Sequence, residues 1–295
     1  MISSSRVVPV EKETWRAETP WPGVSGQRPS FRWSDIWNAP LHDFPIRDEI
    51  LYQYLPLFAD MRVLEVGPGS GFTAFRLARQ VRHLTLLDAA AANIDQLRGV
   101  LKQLPNVDFI CADACAPGLA ESVGTQFDAV FALEVFEYLP APEQCLRNLS
   151  GLLRRGGHLL IQFPNYPPPK NPGVTFFPKR ADLDRMFRAA GFQKWAVYAL
   201  NLRPYADGLY REFHERPIQL LRRLRHGRGN GCPQTYDASW AFQHQKILEP
   251  CKFLVHGAWT VLSAALRMGG DCFERSPLGD EILNRNLLVL ASGQA

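Results

Sequence analysis

The chain has 295 residues, of which 46% are hydrophobic and 21% charged, and it carries a net charge of +4 at neutral pH. This composition is typical of a globular protein with one large domain or two smaller ones, and it excludes disordered, collagen-like and repeat architectures. The excess of positive charge is too small to indicate nucleic-acid binding by itself.

An aromatic, proline-rich arm is predicted over residues 1–45. It holds four of the seven tryptophans of the chain, and its prolines argue against long helices or strands. Two interpretations stay open, a wrap over the surface of the main domain or a flap that closes over a bound ligand. No apolar segment follows the first basic residue, so we expect no secretory signal and a cytoplasmic protein.

A glycine-rich turn follows a predicted helix over residues 46–58 and a buried strand that ends near Glu65. Gly67, Gly69 and Gly71 alternate with other residues, and an amphipathic segment over 73–80 comes next. Glycines permit positive φ and leave no Cβ in the way, so backbone N–H groups can approach a nucleotide-like ligand closely. The dinucleotide-binding pattern G-x-G-x-x-G needs glycine at position 72, where this chain has Phe72. The turn therefore differs from that of the dinucleotide-binding proteins.

Strands and helices alternate through the rest of the chain, which predicts an α/β fold with a doubly wound, mostly parallel, seven-stranded sheet. In such sheets, ligands bind at the carboxyl ends of the strands. After the glycine turn the predicted strands cover residues 83–88, 107–110, 126–133, 158–163, 195–200 and 286–291. The predicted helices cover residues 73–80, 89–104, 142–154 and 179–190.

An inserted cap is predicted over residues 201–285, before the last strand. Its first part, residues 203–228, contains seven arginines and three acidic residues, and it is interpreted as a solvated helix or as a site for an anionic acceptor. Its most apolar stretch, residues 253–266, is too short to cross a bilayer. The segment over 253–268 is interpreted as a buried helix of the cap, with an apolar acceptor channel or a dimer face as alternatives. Peripheral membrane contact and a homodimer face are both left open.

Six cysteines are scattered along the chain without a C-x-x-C pair. Cys111 and Cys115 lack nearby ligands at the spacing of a zinc site. We therefore expect buried free thiols and no metal.

These motifs together resemble the class I S-adenosylmethionine-dependent methyltransferases. The resemblance extends over residues 45–200 and the final strand, and it implies a Rossmann-like methyltransferase core over residues 46–200 and 286–295. The matching features are Glu65-Val-Gly-Pro-Gly-Ser-Gly71, Asp88 at the end of the second strand, Ala112-Asp113 after the third, and residues 127–139 and 153–161 across the fourth and fifth.

The resemblance implies S-adenosylmethionine as cofactor and assigns its contacts. Asp88 would accept hydrogen bonds from the ribose hydroxyls, and Glu65 would face the amino end of the cofactor. Structural alternatives are a helix cap for Asp88, an Asx turn for Asp113 and a purely structural role for Glu65. The other implied contacts are Gly67, Gly69 and Gly71, Ala112, Asp113 and Ala114 around the adenine, and Leu133 and Glu134 after the fourth strand.

Candidates for a general base and for acceptor contacts follow from their predicted positions. Glu134, Glu137, Tyr138 and His42 are the base candidates, and many members of the family have histidine at the position of Tyr138. A structural role is the alternative for each. Asn165 and Tyr166 begin a proline-stiffened loop after the fifth strand and are predicted to contact the acceptor.

The predicted function is S-adenosylmethionine-dependent methylation of a small or lipid-like acceptor, with oxygen slightly preferred as the methylated atom. One alternative is a non-catalytic subunit that binds S-adenosylmethionine. The other is an NAD(P)-dependent oxidoreductase, against which Phe72 argues. No nucleic acid is expected as partner, because only the arginines of the cap would support one.

Overall fold

The computed structural model describes residues 49–124, 126–166, 174–212, 216, 271–283 and 285–293. The predicted arm with His42 lies outside these residues, and so does most of the predicted cap.

A single sheet of eight strands organises the core, in the order β3-β2-β1-β4-β5-β8-β6-β7. Strands β1 to β5 pair in parallel, whereas β8 lies antiparallel between β5 and β6. The predicted α/β fold with a mostly parallel sheet is confirmed. The strands are β1 Arg62–Val66, β2 His83–Asp88, β3 Val107–Cys111, β4 Phe127–Leu133, β5 Leu153–Asn165, β6 Lys194–Leu202, β7 Phe273–Pro277 and β8 Arg285–Ser292.

The eighth strand, β7, was not predicted. It pairs antiparallel with β6 at the edge of the sheet, inside the range that the sequence assigned to the cap. Its sequence, FERSP, has no apolar run because only Phe273 is buried. An edge strand with one buried residue carries almost none of the hydrophobic pattern that marks a central strand.

Helices cover both faces of the sheet. The helices that were not predicted are short, so their apolar period is weak. The helices are α1 Glu49–Tyr54, α2 Phe72–Leu77, α3 Ala91–Val100, α4 Leu119–Val123, α5 Pro142–Leu152, α6 Arg180–Ala189 and α7 Pro204–Tyr210, with a 3₁₀ turn at Phe136–Tyr138. Within the described ranges, no helix has the length and apolar character needed to cross a bilayer.

Two hydrophobic layers lie on opposite faces of the sheet. In β1, Val63 packs into the layer shared with α1, α2 and α3, whereas Leu64 and Val66 pack into the layer shared with α5 and α6. Both faces of the strand are buried, which explains why its apolar residues are nearly continuous. This packing fixes the carboxyl ends of the strands at one edge of the sheet.

The pH dependence of stability should reveal His158, which lies near the start of β5. Its burial and then the nearby Arg154 cation lower its pKa to about 4, below the unfolded value of about 6.5. The unfolded chain binds the proton between these values and the folded chain does not, so stability is lost as pH falls through this window. We expect the loss to be about 1–2 kcal/mol after allowance for solvent screening.

The measurement compares urea unfolding of wild type and His158→Gln at pH 7 and pH 4.5. Wild type should lose stability more steeply than the variant, because glutamine does not titrate. Equal losses in both proteins would show that His158 ionises freely in the fold.

Candidate active site

The glycine turn between β1 and α2 has all three glycines at positive φ, +66° for Gly67, +54° for Gly69 and +79° for Gly71. A Cβ on Gly67 would lie 2.5 Å from Val135 Cγ2, and a Cβ on Gly71 would lie 2.6 Å from Leu97 Cδ2. A Cβ on Gly69 would meet nothing within 4 Å. Two glycines therefore permit close packing, and the third borders open space where a ligand can approach the backbone.

Asp88 ends β2 directly beside this turn. Its Oδ1 accepts a hydrogen bond from Ala90 N at 2.8 Å, and its Oδ2 accepts one from Asn93 Nδ2 at 2.7 Å. The first bond closes a local turn before α3, whose N-cap residue, Ala90, has no side-chain cap hydrogen bond, so the helix cap considered for Asp88 is not what this bond provides. Each carboxylate oxygen retains a further lone pair, so the fixed carboxylate can also accept ligand hydroxyls. The sequence analysis did not identify Asn93 as a partner of Asp88, although it lies in the first turn of α3, five residues after Asp88.

The loop after β3 is held against both the sheet and α5. Ala112 N donates to Asp88 O at 3.0 Å, and Asp113 Oδ1 accepts from Cys115 N at 2.8 Å, which is the Asx turn considered as its structural alternative. Asn148 Nδ2 on α5 donates to the carbonyl oxygens of Ala114 and Ala116, each at 2.8 Å. The exposed Asp113 therefore stands on a rigid loop next to Asp88.

Glu134 follows β4 with a φ of +56°, and it is the one non-glycine residue of the described ranges in the left-handed region. Its N–H donates to Gln162 O at 2.8 Å, which ties the turn to β5. This conformation costs a non-glycine residue on the order of 1–3 kcal/mol, and such strain concentrates at functional sites. Nothing in the sequence around Glu134 predicts it.

The remaining predicted residues on this edge differ in how accessible they are. Glu65 is 4% exposed and Leu133 is 5% exposed, so only a ligand that enters the edge of the sheet reaches them. Tyr138 is half-buried in the 3₁₀ turn. His42 lies outside the described residues.

Asn165 lies at the end of β5. Its side chain is fully buried, and Nδ2 donates to Pro178 O at 3.1 Å and to Ile282 O at 2.9 Å. Both amide protons thereby hold the end of β5 to two neighbouring segments, so Asn165 has an anchoring role in the fold, and its contact with the acceptor stays a prediction. Tyr166, the next residue, is half-buried at the start of the proline-rich loop.

Strand register brings these separate features together at one edge. Val66 of β1 is level with Leu87 of β2 and Ala132 of β4, and Asp88 is level with Cys111 of β3. The glycine turn, Asp88, the Asp113 loop and Glu134 therefore follow four neighbouring strands at one level. Open space at Gly69 flanked by fixed carboxylates fits an elongated nucleoside ligand such as S-adenosylmethionine.

Comparison with known proteins agrees with this geometry. A family model described as a methyltransferase domain matches residues 64–161, from β1 to β5. A ubiquinone biosynthesis O-methyltransferase of Alkalilimnicola ehrlichii is 31% identical over 202 residues, which cover 63% of this chain and 80% of that protein. The corresponding protein of Marinobacter nauticus is 29% identical over 200 residues, which cover 66% of this chain and 75% of that protein.

Among solved structures, the phosphoethanolamine N-methyltransferase 2 of Haemonchus contortus, in complex with S-adenosylhomocysteine, superimposes with a TM-score of 0.52. The match covers 87% of this chain and 53% of that one at 15% identity. At this identity the likeness concerns the fold of the core.

Proposed function

The chain belongs to the class I S-adenosylmethionine-dependent methyltransferases, and from this membership we propose that it methylates a hydroxyl group of a small, lipid-like acceptor. The observation that carries the proposal is the 31% identity to an O-methyltransferase of ubiquinone biosynthesis across 80% of that protein. The alternative of a nicotinamide-dependent oxidoreductase is set aside by the family. The proposed class of acceptor, a small lipid-like molecule with a hydroxyl group, rests on the similarity of this chain to that relative.

The chain's own residues would hold the cofactor along the carboxyl edge of β1 to β4. We propose that the glycine turn approaches it at Gly69, that Asp88 accepts its ribose hydroxyls, and that the adenine lies against Ala112, Asp113 and Ala114. Glu65, Leu133 and Glu134 would surround its other end. The bound cofactor supplies a methyl group on an already activated sulfonium, so the protein mainly contributes proximity and orientation.

Removing the proton of the acceptor hydroxyl needs a general base when that hydroxyl is weakly acidic. We propose Glu134 for this role, because its strained backbone fixes a half-buried carboxyl at the end of β4. Tyr138 and His42 are the second candidates. Tyr166 is proposed to contact the acceptor from the start of the proline-rich loop.

Acceptor selection is assigned to the segments outside the core. We propose that the arm over residues 1–45 and the residues between α7 and β7 form the acceptor pocket. This range replaces the predicted cap of 201–285, because β6, α7 and β7 take part in the core. A lipid-like acceptor agrees with the apolar stretch over 253–268, which would also be the place of any peripheral membrane contact.

The test of this function measures methyl transfer from labelled S-adenosylmethionine to three probes, a prenylated catechol, the same catechol without the prenyl chain, and a prenylated aniline. The prenylated catechol should have a kcat/KM roughly 100-fold above that of the short catechol, because each buried CH₂ contributes about 0.8 kcal/mol. Faster methylation of the aniline would contradict O-methylation. Equal rates for the two catechols would contradict a lipid-like acceptor.

Two glycine variants separate cofactor contact from packing. Gly69→Ala should weaken S-adenosylhomocysteine binding roughly tenfold or more and lower stability by only about 1 kcal/mol, because its Cβ enters open space at positive φ. Gly71→Ala should lower stability by about 2 kcal/mol or more, because its Cβ meets Leu97 as well. Calorimetric titration measures the affinity of each variant for S-adenosylhomocysteine, and urea unfolding measures its stability. Wild-type affinity in Gly69→Ala would place the cofactor elsewhere.

A further inference from the structure

Two thiols meet next to the loop that carries Asp113. Cys115 lies two residues after Asp113 and is 7% exposed, whereas Cys145 lies in α5 and is fully buried. Both side chains belong to the same hydrophobic layer, and they are hydrogen-bonded to each other. None of the roles assigned above uses this pair.

Hydrogen bonds fix the backbone around Cys115. Asn148, which lies on α5 three residues after Cys145, donates to the carbonyl oxygens on either side of Cys115, those of Ala114 and Ala116, each at 2.8 Å. Cys115 N donates to Asp113 Oδ1 at 2.8 Å. Any displacement of Cys115 is therefore transmitted to the Asp113 carboxylate through a hydrogen bond.

We propose that Cys115 and Cys145 are a redox modification site, at which a hydroperoxide converts the two thiols into an intramolecular disulfide that weakens cofactor binding. Cys115 is the attacking group because it is the more exposed of the two. The hydrogen bond from Cys145 also lowers the pKa of the Cys115 thiol, which favours its nucleophilic thiolate form.

The two chemical steps balance with hydrogen peroxide as the oxidant. The Cys115 thiolate attacks one peroxide oxygen, the O–O bond breaks, hydroxide leaves, and Cys115 becomes a sulfenic acid. The Cys145 sulfur then attacks the Cys115 sulfur, the S–O bond breaks, and water leaves with the Cys145 proton. Two thiols are oxidised and one peroxide is reduced to water.

Oxidation should change the shape of the adenine loop. Hydrogen-bonded sulfurs are farther apart than the roughly 2.0 Å of a disulfide bond, so bond formation draws Cys115 toward α5. Asp113 moves with it, and the proposed adenine contact is distorted. This consequence rests on the proposed placement of the adenine beside Asp113, whereas disulfide formation itself does not.

The experiment treats the full chain with hydrogen peroxide at neutral pH, with and without S-adenosylhomocysteine. Alkylation and peptide mapping should identify a Cys115–Cys145 cross-link, and the intact mass should fall by two hydrogens. Affinity for S-adenosylhomocysteine should fall about tenfold and return on treatment with dithiothreitol. By the reciprocity of linkage, bound S-adenosylhomocysteine should disfavour the disulfide to the same extent in a glutathione redox buffer.

Three variants serve as controls. Cys145→Ala should bind S-adenosylhomocysteine as the reduced wild type does and give no cross-link. Cys115→Ala removes the other sulfur of the proposed disulfide and should give the same two results. Cys111→Ser removes the exposed thiol and should behave as wild type. Alkylation of both Cys115 and Cys145 after peroxide treatment would overturn the proposal.

A cross-link that leaves the affinity unchanged would overturn the coupling to the cofactor. Failure of the reduced wild type to bind S-adenosylhomocysteine would instead contradict the proposed function. The cross-linking result does not depend on that binding, so the two failures are distinguishable.

Discussion

Asp88→Asn is expected to weaken binding of S-adenosylhomocysteine by about 2–3 kcal/mol, or roughly 100-fold. Asparagine keeps an oxygen that can accept from Ala90 N, so the local turn before α3 survives. The substitution removes the negative charge, and hydrogen bonds from two ribose hydroxyls to a charged acceptor are stronger than those to a neutral one. Calorimetric titration with S-adenosylhomocysteine measures the loss, and urea unfolding checks that stability stays within about 1 kcal/mol.

Asp95→Asn is the matched control for this experiment. Asp95 is an exposed acid on α3, the helix that follows Asp88, and it pairs with Arg98 at 3.0 Å. It should retain wild-type affinity, because such surface pairs contribute little. Asn93→Ala should weaken binding by less than Asp88→Asn, because it removes one bond that orients the carboxylate. Wild-type affinity in Asp88→Asn would show that Asp88 serves only the local turn before α3.

Glu134→Gly is expected to abolish most methyl transfer while making the protein more stable. Glycine adopts a φ of +56° without the steric cost that glutamate has there, so the variant should be about 1 kcal/mol more stable than Glu134→Ala. Loss of the carboxyl should lower kcat by roughly 100-fold, within the range that general-base catalysis contributes. Single-turnover methyl transfer and urea unfolding measure the two effects separately.

Glu134→Ala separates the side chain from the backbone. It removes the carboxyl and keeps the strain, so it should lose as much activity as Glu134→Gly without the gain in stability. Equal stability of the alanine and glycine variants would show that the left-handed backbone of Glu134 is not strained. Wild-type kcat in both variants would remove Glu134 from the reaction and favour Tyr138 or His42.

The sequence predicted the core well where burial dominates the pattern. Strand β2 was predicted with the bounds that it has, because an apolar run lies between His83 and Asp88. The end of each central strand is marked by a turn or an acid, so the edge that carries Asp88 and Glu134 could also be predicted. Local composition is sufficient for these features because both faces of the parallel strands are buried.

Other features depend on contacts between residues far apart in the chain. Asn165 looked available for an acceptor, and only its bond to Ile282 O, 117 positions away, reveals its anchoring role. Strand β5 was predicted over 158–163 but begins at Leu153, because Leu153 pairs with Phe127 of β4 before the register shifts. The expectation that the cysteines are buried is wrong for Cys111, which is exposed.

The structure of the full chain in complex with S-adenosylhomocysteine tests the central claim most directly, namely that the carboxyl edge of β1 to β4 holds the cofactor. We expect ribose hydroxyls at hydrogen-bond distance of about 2.7–3.0 Å from the Asp88 carboxylate. We also expect the backbone of Gly69 against the ligand and the adenine between Ala112 and Ala114. S-adenosylhomocysteine bound away from this edge, with Asp88 bonded only to Ala90 and Asn93, would contradict this claim.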